Sequence, residues 1–155
     1  MSHSGGGRTP SLVAAHHPAV RVVSSEGRRL PGAARNAGVL ATRGEFVAFL
    51  AADCRAAPGW ASGRLRHHRA GAVAVASVVM PVKPCPPAAA SALLLHRSRR
   101  PEIVPHPHLR LGVSYSRVVL ERHGPFPDLE LAEDAMFNAR LLEAGLEIVW
   151  APDVG

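Results

Sequence analysis

The sequence predicts an α/β fold, a three-layer sandwich in which helices cover both faces of a mostly parallel sheet. Apolar runs over residues 46–50 and 72–82 flank a polar helical stretch over 60–70. This strand–helix–strand order is typical of parallel strands joined by a right-handed crossover, so we expect the two runs to be neighbours. A second helix and strand follow over 131–144 and 146–150. The 155 residues, 47% of them hydrophobic, fit one compact domain.

The amino-terminal part is polar and rich in glycine, and we expect residues 1–18 to form a flexible leader or a partial helix. Residues 19–155 then form the single domain. Its first strand is predicted over 20–23, a β-branched run that ends at serine and glycine. Pro31-Gly32 marks a turn, and a helix follows over 33–42, where small and apolar residues recur at helical spacing.

The run over 46–50 is continuously apolar, as in a strand that is buried on both faces of a parallel sheet. Prolines interrupt residues 83–110, where we predict a long loop with a short helix over 88–97. Residues 115–122 are predicted to be helical or turn-like. Helix 131–144 is strongly periodic. Its predicted apolar face consists of Met136, Ala139 and Leu142, with Ala132 and Ala135 on the same side.

Composition excludes several classes of protein. The glycines have no three-residue period, which excludes collagen, and two cysteines, Cys54 and Cys85, are too few for a disulfide scaffold or a zinc finger. No signal-peptide core is present, and the longest apolar stretch is shorter than the about 20 residues that a bilayer-spanning helix needs. We therefore expect a cytoplasmic protein without a transmembrane segment, and peripheral contact with a membrane stays open.

The 18 basic and 12 acidic residues give a formal net charge of +6, and Lys83 is the only lysine among the cations. Arginine suits phosphate groups, although a high-GC coding sequence favours the same bias. The basic cluster over 64–69 fits a solvated helix face. No nucleic-acid partner is expected, because the sequence has neither an aromatic stacking platform nor a known binding motif.

Carboxylates occur at two positions where a ligand could meet them. Asp53 follows the strand over 46–50, and ligands of open α/β sheets bind at the carboxyl ends of strands. Glu133 and Asp134 lie near the start of the last helix. Each position also has a structural explanation, since aspartate forms turns and the helix macrodipole favours acidic residues in a first turn.

The order and spacing of several short motifs are more specific. The amino-terminal motifs are Ala34-Arg35-Asn36-Ala37-Gly38, Gly44-Glu45, Phe49-Leu50-Ala51-Ala52-Asp53 and Pro58-Gly59-Trp60. The carboxyl-terminal motifs are Gly124-Pro125-Phe126, Glu133-Asp134, Arg140-Leu141, Gly145 and Pro152. Together they resemble family-2 glycosyltransferases of the GT-A fold over about residues 20–153. The resemblance implies a truncated GT-A, Rossmann-like fold.

The resemblance also implies an inverting transfer of a sugar from a nucleotide-sugar donor to an acceptor hydroxyl on a glycan, a lipid or a small molecule. Arg35 and Asn36 match the donor-nucleotide contact motif. Asp53 matches the last residue of the Asp-x-Asp motif, which holds Mg²⁺ or Mn²⁺ against the donor diphosphate. Asp134 matches the general base, and Glu133 orients the site or contacts the acceptor. The carboxylates of Asp53 and Asp134 are then expected within about 12 Å of each other.

Two departures from the family pattern affect this interpretation. Ala51 stands where the first aspartate of Asp-x-Asp is expected. Two amino-terminal strands of the family have no counterpart before Val20, so we expect an exposed sheet edge, self-association through that edge and impaired activity. The alternative is a non-catalytic remnant that binds a nucleotide or a partner chain.

Overall fold

A computed structural model describes residues 9–25, 27–52, 54–80, 104–110 and 112–154. The helices in these ranges are α1 (Thr9–His16), α2 (Pro31–Ala41), α3 (Trp60–Arg69), α4 (Arg117–Arg122) and α5 (Glu133–Glu143). The strands are β1 (Phe46–Ala48), β2 (Ala74–Ser77), β3 (Ser114–Ser116) and β4 (Ile148–Ala151), and a 3₁₀ turn covers Pro107–Leu109. The predicted α/β class is therefore confirmed.

The four strands form one mixed sheet in the order β1-β3-β2-β4. Strand β3 runs antiparallel to both of its neighbours, whereas β2 and β4 pair in parallel with Ala74 opposite Ile148. Three strands thus share one direction, but the prediction that β1 and β2 are neighbours is wrong because β3 lies between them. The sequence pattern missed β3 because three residues are too few to show an alternating period.

Both faces of the sheet are covered, as the three-layer prediction requires. Strand β2 shows the division, because Ala74 and Ala76 belong to one core cluster and Val75 to another. The larger cluster lies against α4 and α5; its main members are Tyr115, Val119, Leu120, Phe126, Phe137 and Leu141. The smaller cluster lies against α3, where Trp60 packs beside Ala151 and Val154.

Two predicted strands differ from the structure. Residues 21–25 have no regular structure, and Val20, Val22 and Val23 are exposed, because no strand lies beside them to complete a ladder. Strand β1 is shorter than predicted and is not buried on both faces. It lies at the edge of the sheet, and within it only Val47 is buried.

Helix α5 buries a different face from the predicted one. Met136 is 55% exposed, whereas Phe137, Asn138 and Leu141 are fully buried. Apolar periodicity alone cannot find this face, because Asn138 is buried through hydrogen bonds. Its Oδ1 accepts from the Tyr115 hydroxyl at 2.7 Å, and its Nδ2 donates to the Arg110 carbonyl at 2.9 Å. The side-chain amide is therefore satisfied inside the core.

The remaining predictions have mixed outcomes. Helices α2, α3 and α5 and strand β4 are present close to the predicted positions. Residues 115–122 divide between β3 and α4, so the helical interpretation is wrong for Tyr115 and Ser116. Helix α1 lies within the predicted leader and has no buried residue. Strand β2 covers only Ala74–Ser77 of the run predicted over 72–82, and residues 78–80 are not strand. Residues 81–82 and the helix predicted over 88–97 lie outside the described residues.

A glycine lets helix α2 lie directly against the segment that precedes α5. Pro31 occupies the first turn, where its missing N–H costs nothing, and Gly32 is buried. A Cβ atom at position 32 would lie 1.9 Å from the Pro127 carbonyl oxygen. Only glycine permits this approach, which brings Arg35 and Asn36, one turn further along α2, close to the start of α5.

We expect Gly32→Ala to lower the free energy of unfolding by about 1–3 kcal/mol, because the methyl group would push α2 away from Pro127. Gly38→Ala is the matched control in the same helix. A Cβ there meets nothing within 4 Å, so alanine should raise stability by about 0.5–1 kcal/mol through its helix propensity. Urea unfolding followed by circular dichroism measures both changes. Equal effects of the two substitutions would contradict the close approach.

Candidate active site

An arginine on α2 joins the two acidic residues that begin α5. The Arg35 Nε donates to Glu133 Oε1 at 2.9 Å, and Arg35 Nη2 lies 2.9 Å from the same oxygen. Nη2 also lies 3.5 Å from Asp134 Oδ2. One guanidinium therefore holds both carboxylates, across 98 positions of the chain.

Two aromatic rings support the Arg35 guanidinium. Its Cζ lies 5.2 Å from the centroid of the Phe49 ring and 5.7 Å from that of Phe126. The two rings meet edge to face at 5.4 Å. Cation–π attraction and packing together restrict the guanidinium to one orientation. Both phenylalanines belong to the sequence motifs, but their position beneath Arg35 depends on the tertiary fold.

The two carboxylates have different surroundings. Glu133 is 7% accessible, and one of its oxygens receives both nitrogens of Arg35 at short distance. Asp134 is 13% accessible, and its Oδ1 accepts the Ala135 N–H at 2.9 Å. The other oxygen of Asp134 has the longer contact with Arg35. Arg35 is thus bonded closely to Glu133, whereas its contact with the more accessible Asp134 is longer.

The backbone before α5 is strained where it delivers these carboxylates. Ala132 has φ 64° and is, within the described ranges, the only non-glycine residue with positive φ. Such a left-handed conformation costs on the order of 1 kcal/mol or more for alanine. It turns the chain so that Glu133 and Asp134 form the first turn of the helix, where the macrodipole favours their negative charge.

Hydrogen bonds fix the segment that carries Phe126. The Asn36 side-chain amide donates to the Phe126 carbonyl and accepts the Phe126 N–H, both at 2.9 Å. Arg140 of α5 donates through Nη1 to the carbonyls of His123 and Pro125. Asn36, which was predicted to contact the donor, therefore holds in place one of the two rings beneath Arg35.

Asp53, the predicted metal ligand, lies outside the described residues, so its distance from Asp134 stays a prediction. Within the described ranges, no three His, Cys, Asp or Glu side chains come together in a way that could hold a metal ion. Glu133 and Asp134 share the cation Arg35 instead. The described residues alone therefore provide no metal site built from three or more such side chains.

The cavities of the described surface include the following two. A cavity of about 430 Å³ lies between the end of α3 and the start of β4; its lining includes His67, Gly71, Gly145 and Glu147. This cavity lies where β2 and β4 begin, whereas Arg35 packs on Phe49, which follows the end of β1. Because these three strands share one direction, the cavity and the Arg35 ion pairs lie at opposite ends of the sheet. A second cavity, of about 310 Å³, is lined by residues of α2 together with Arg29 and residues 23–25.

Comparison with known proteins identifies the family of the chain. The chain matches glycosyl transferase family 2 over residues 5–111, more than half of its length, and it belongs to that family. The match includes α2 with Arg35 and Asn36, whereas Glu133 and Asp134 lie beyond it. No curated protein and no solved structure matches the chain. None of the helices in the described part of the chain combines the length and the hydropathy that a bilayer crossing requires.

We expect Arg35→Met to lower the free energy of unfolding by about 1.5–3 kcal/mol, because it leaves the buried Glu133 carboxylate without its charged donor. In a double-mutant cycle with Glu133→Gln, the coupling energy should exceed about 1 kcal/mol. The exposed pair Arg28–Glu130 is the control, and its coupling should lie between about 0 and 1 kcal/mol. Additive effects of the Arg35 and Glu133 substitutions in urea unfolding would contradict this view of the site.

Proposed function

We propose that the chain transfers a sugar from a nucleotide-sugar donor to an acceptor hydroxyl with inversion, and that Asp134 is the general base. The observation that carries the proposal is that one arginine bonds closely to one of two adjacent carboxylates and only at longer distance to the other. Glu133 receives the short bonds of Arg35, while Asp134 Oδ2 lies 3.5 Å from the guanidinium and is partly accessible. Membership of glycosyl transferase family 2 supports glycosyl transfer.

In the proposed reaction the acceptor oxygen attacks the anomeric carbon from the face opposite the leaving group. The new carbon–oxygen bond forms as the bond from that carbon to the diphosphate oxygen breaks, and the nucleoside diphosphate keeps the electron pair. Asp134 takes the hydroxyl proton. A positioned base of this kind contributes about 10²–10⁴ in rate. Glu133 orients the site by holding Arg35.

Arg35 is proposed to serve the donor side as well. Its Nε and Nη2 face the carboxylates, which leaves Nη1 as the nitrogen for a donor phosphate. The side chain is 25% accessible, so a ligand can reach it. Asn36 is proposed to act on the same side by fixing Phe126 beneath the guanidinium.

Assistance by Mg²⁺ or Mn²⁺ rests on Asp53 and on the family resemblance. When bound, such a cation would neutralise charge that develops on the leaving diphosphate. Asp53 and the diphosphate itself are the proposed ligands. Because Asp53 lies outside the described residues, the steps above depend only on Arg35, Glu133 and Asp134.

We expect Asp134→Asn to lower kcat by about 10²-fold or more, because an amide cannot accept the hydroxyl proton. The assay is release of nucleoside diphosphate from a mixture of uridine, guanosine and thymidine diphosphate sugars, with and without Mn²⁺. Glu130→Gln is the control, since that carboxylate is exposed and pairs with Arg28.

Two outcomes would count against the proposal. Unchanged turnover by Asp134→Asn would remove Asp134 from the mechanism. Absence of turnover by the unsubstituted chain, with nucleotide binding retained in calorimetry, would favour the alternative of a non-catalytic nucleotide- or partner-binding module. The presence of Ala51 in place of an expected metal-binding aspartate favours that alternative.

We also propose self-association through the outer edge of β1. Arg117 N–H donates to the Glu45 carbonyl, and the β1–β3 register then directs the backbone groups of Phe46 and Ala48 away from β3. Unpaired edge groups of this kind template strand addition. A cytoplasmic location and peripheral contact with a membrane stay predictions.

Sedimentation velocity at protein concentrations between about 5 and 200 µM should show a concentration-dependent shift from monomer to dimer. A dissociation constant in this range is expected for a weak interface. Ala48→Pro should reduce the shift, because proline removes an outward N–H without removing a bond to β3. A single monomeric species over the whole range would contradict the edge interaction.

A further inference from the structure

Arg64 of α3 is a buried cation that donates to four oxygen atoms. The side chain is 3% exposed. Its Nη1 donates to the Val75 carbonyl at 2.8 Å and to Ser114 Oγ at 3.1 Å; its Nη2 donates to Ser77 Oγ at 2.5 Å and to the Gly112 carbonyl at 2.9 Å. The guanidinium also lies over the Trp60 ring, 4.5 Å from its centroid. Both terminal nitrogens are therefore fully used.

The four acceptors lie at two particular points of the chain. Val75 and Ser77 belong to β2, which ends at Ser77. Ser114 is the first residue of β3, and Gly112 lies two residues before it. Nη2 alone bridges Ser77 and Gly112. One side chain thus joins the point where the chain leaves the sheet after β2 to the point where it re-enters the sheet at β3.

The hydrogen bonds continue beyond Ser114 to His68 and Ala72, whereas the buried Nε of Arg64 has no hydrogen-bond partner among the described residues. Ser114 Oγ lies 2.8 Å from His68 Nε2, and His68 Nδ1 lies 2.7 Å from the Ala72 carbonyl. A neutral His68 that accepts from Ser114 and donates to Ala72 satisfies both contacts. Burial lowers the pKa of His68, which favours the neutral ring. Arg64 therefore carries the only positive charge of this network at neutral pH.

The charge of Arg64 has no ion pair with a carboxylate in the described part of the chain. Burial lowers the pKa of Arg64 to about 10, so the guanidinium stays charged at neutral pH. The charged form is nevertheless less stable in this buried site than it is in water. An apolar side chain of similar volume would avoid this desolvation cost. An apolar side chain could not, however, bond two chain segments in fixed directions.

We propose that Arg64 is a positioning residue that fixes both ends of the connection between β2 and β3, at Ser77 and at Gly112–Ser114, against the sheet. From the opposite face of the sheet, Asn138 holds the same re-entry point through the Arg110 carbonyl. This role is independent of the proposed glycosyl transfer, since it concerns only the described ends of the connection.

Hydrogen–deuterium exchange of the full chain at pH 7.5 tests the role. We expect Arg64→Met to raise amide exchange at least tenfold in residues 78–80 and 112–116, while β4 changes less than threefold. Ser77→Ala should raise exchange mainly in 78–80, because it removes one acceptor and buries no free charge. Arg64→Lys keeps the charge but has one nitrogen in place of two, so it should give an intermediate increase at both ends.

Two control variants separate positioning from general stability. Arg66→Met removes an exposed cation of the same helix, which pairs with Asp153 outside the network, and should leave exchange at both ends unchanged. Leu141→Ala opens a cavity in the core on the other face and should raise exchange in β4 and at both ends together. A uniform increase in Arg64→Met, as in Leu141→Ala, would overturn the proposal, as would no increase. If Arg64→Met does not fold, the Ser77→Ala and Arg64→Lys variants decide instead. An increase in exchange confined to the ends of the connection supports the proposal, and a uniform increase or no increase overturns it.

Discussion

The ion pair between Arg35 and Glu133 is the interaction on which the arrangement of the candidate site depends. It joins α2 to α5 over 98 positions of the chain, and the hydrogen bonds between Asn36 and Phe126 hold the same helix against the segment before α5. Phe49 and Phe126 confine the guanidinium, and Gly32 lets α2 approach Pro127 closely enough for the pair to form. Each of these contacts is individually modest, but together they leave Arg35 a single orientation.

Aromatic residues are few in this chain, yet they are concentrated where the sheet meets α5. The rings of Phe49, Tyr115, Phe126 and Phe137 contact one another, mostly edge to face, at centroid distances of 4.5–6.3 Å. Valine, alanine and isoleucine side chains of β1, β2 and β4 supply other parts of the core. Burial raises the pKa of Tyr115 far above its ordinary value, so its hydroxyl stays protonated and donates to Asn138. The aromatic cluster is thereby joined through Asn138 to the Arg110 carbonyl, which lies shortly before β3.

Buried polar groups on both faces of the sheet hold the chain in place. Asn138 acts from the α5 side and Arg64 from the α3 side, and both hold the chain near its return to β3. Apolar contacts favour compactness but have little directional preference, whereas these hydrogen bonds specify which carbonyl lies where. The family match, which ends at residue 111, covers α2 and α3 but not α5. The contacts of Arg35 are what bring the carboxylates of α5 to the matched region.

The sequence by itself determined the α/β class, helices α2, α3 and α5, strand β4 and the glycosyltransferase family, because periodicity, proline and glycine positions and short motifs are local properties. It also singled out Arg35, Asn36, Glu133 and Asp134, although their mutual contacts were not predicted. Only the tertiary structure decided that β3 lies between β1 and β2, because strand order depends on pairing between distant segments. It likewise decided which face of α5 is buried, since Glu133 and Asn138 are polar in sequence and buried only through partners 98 and 23 positions away.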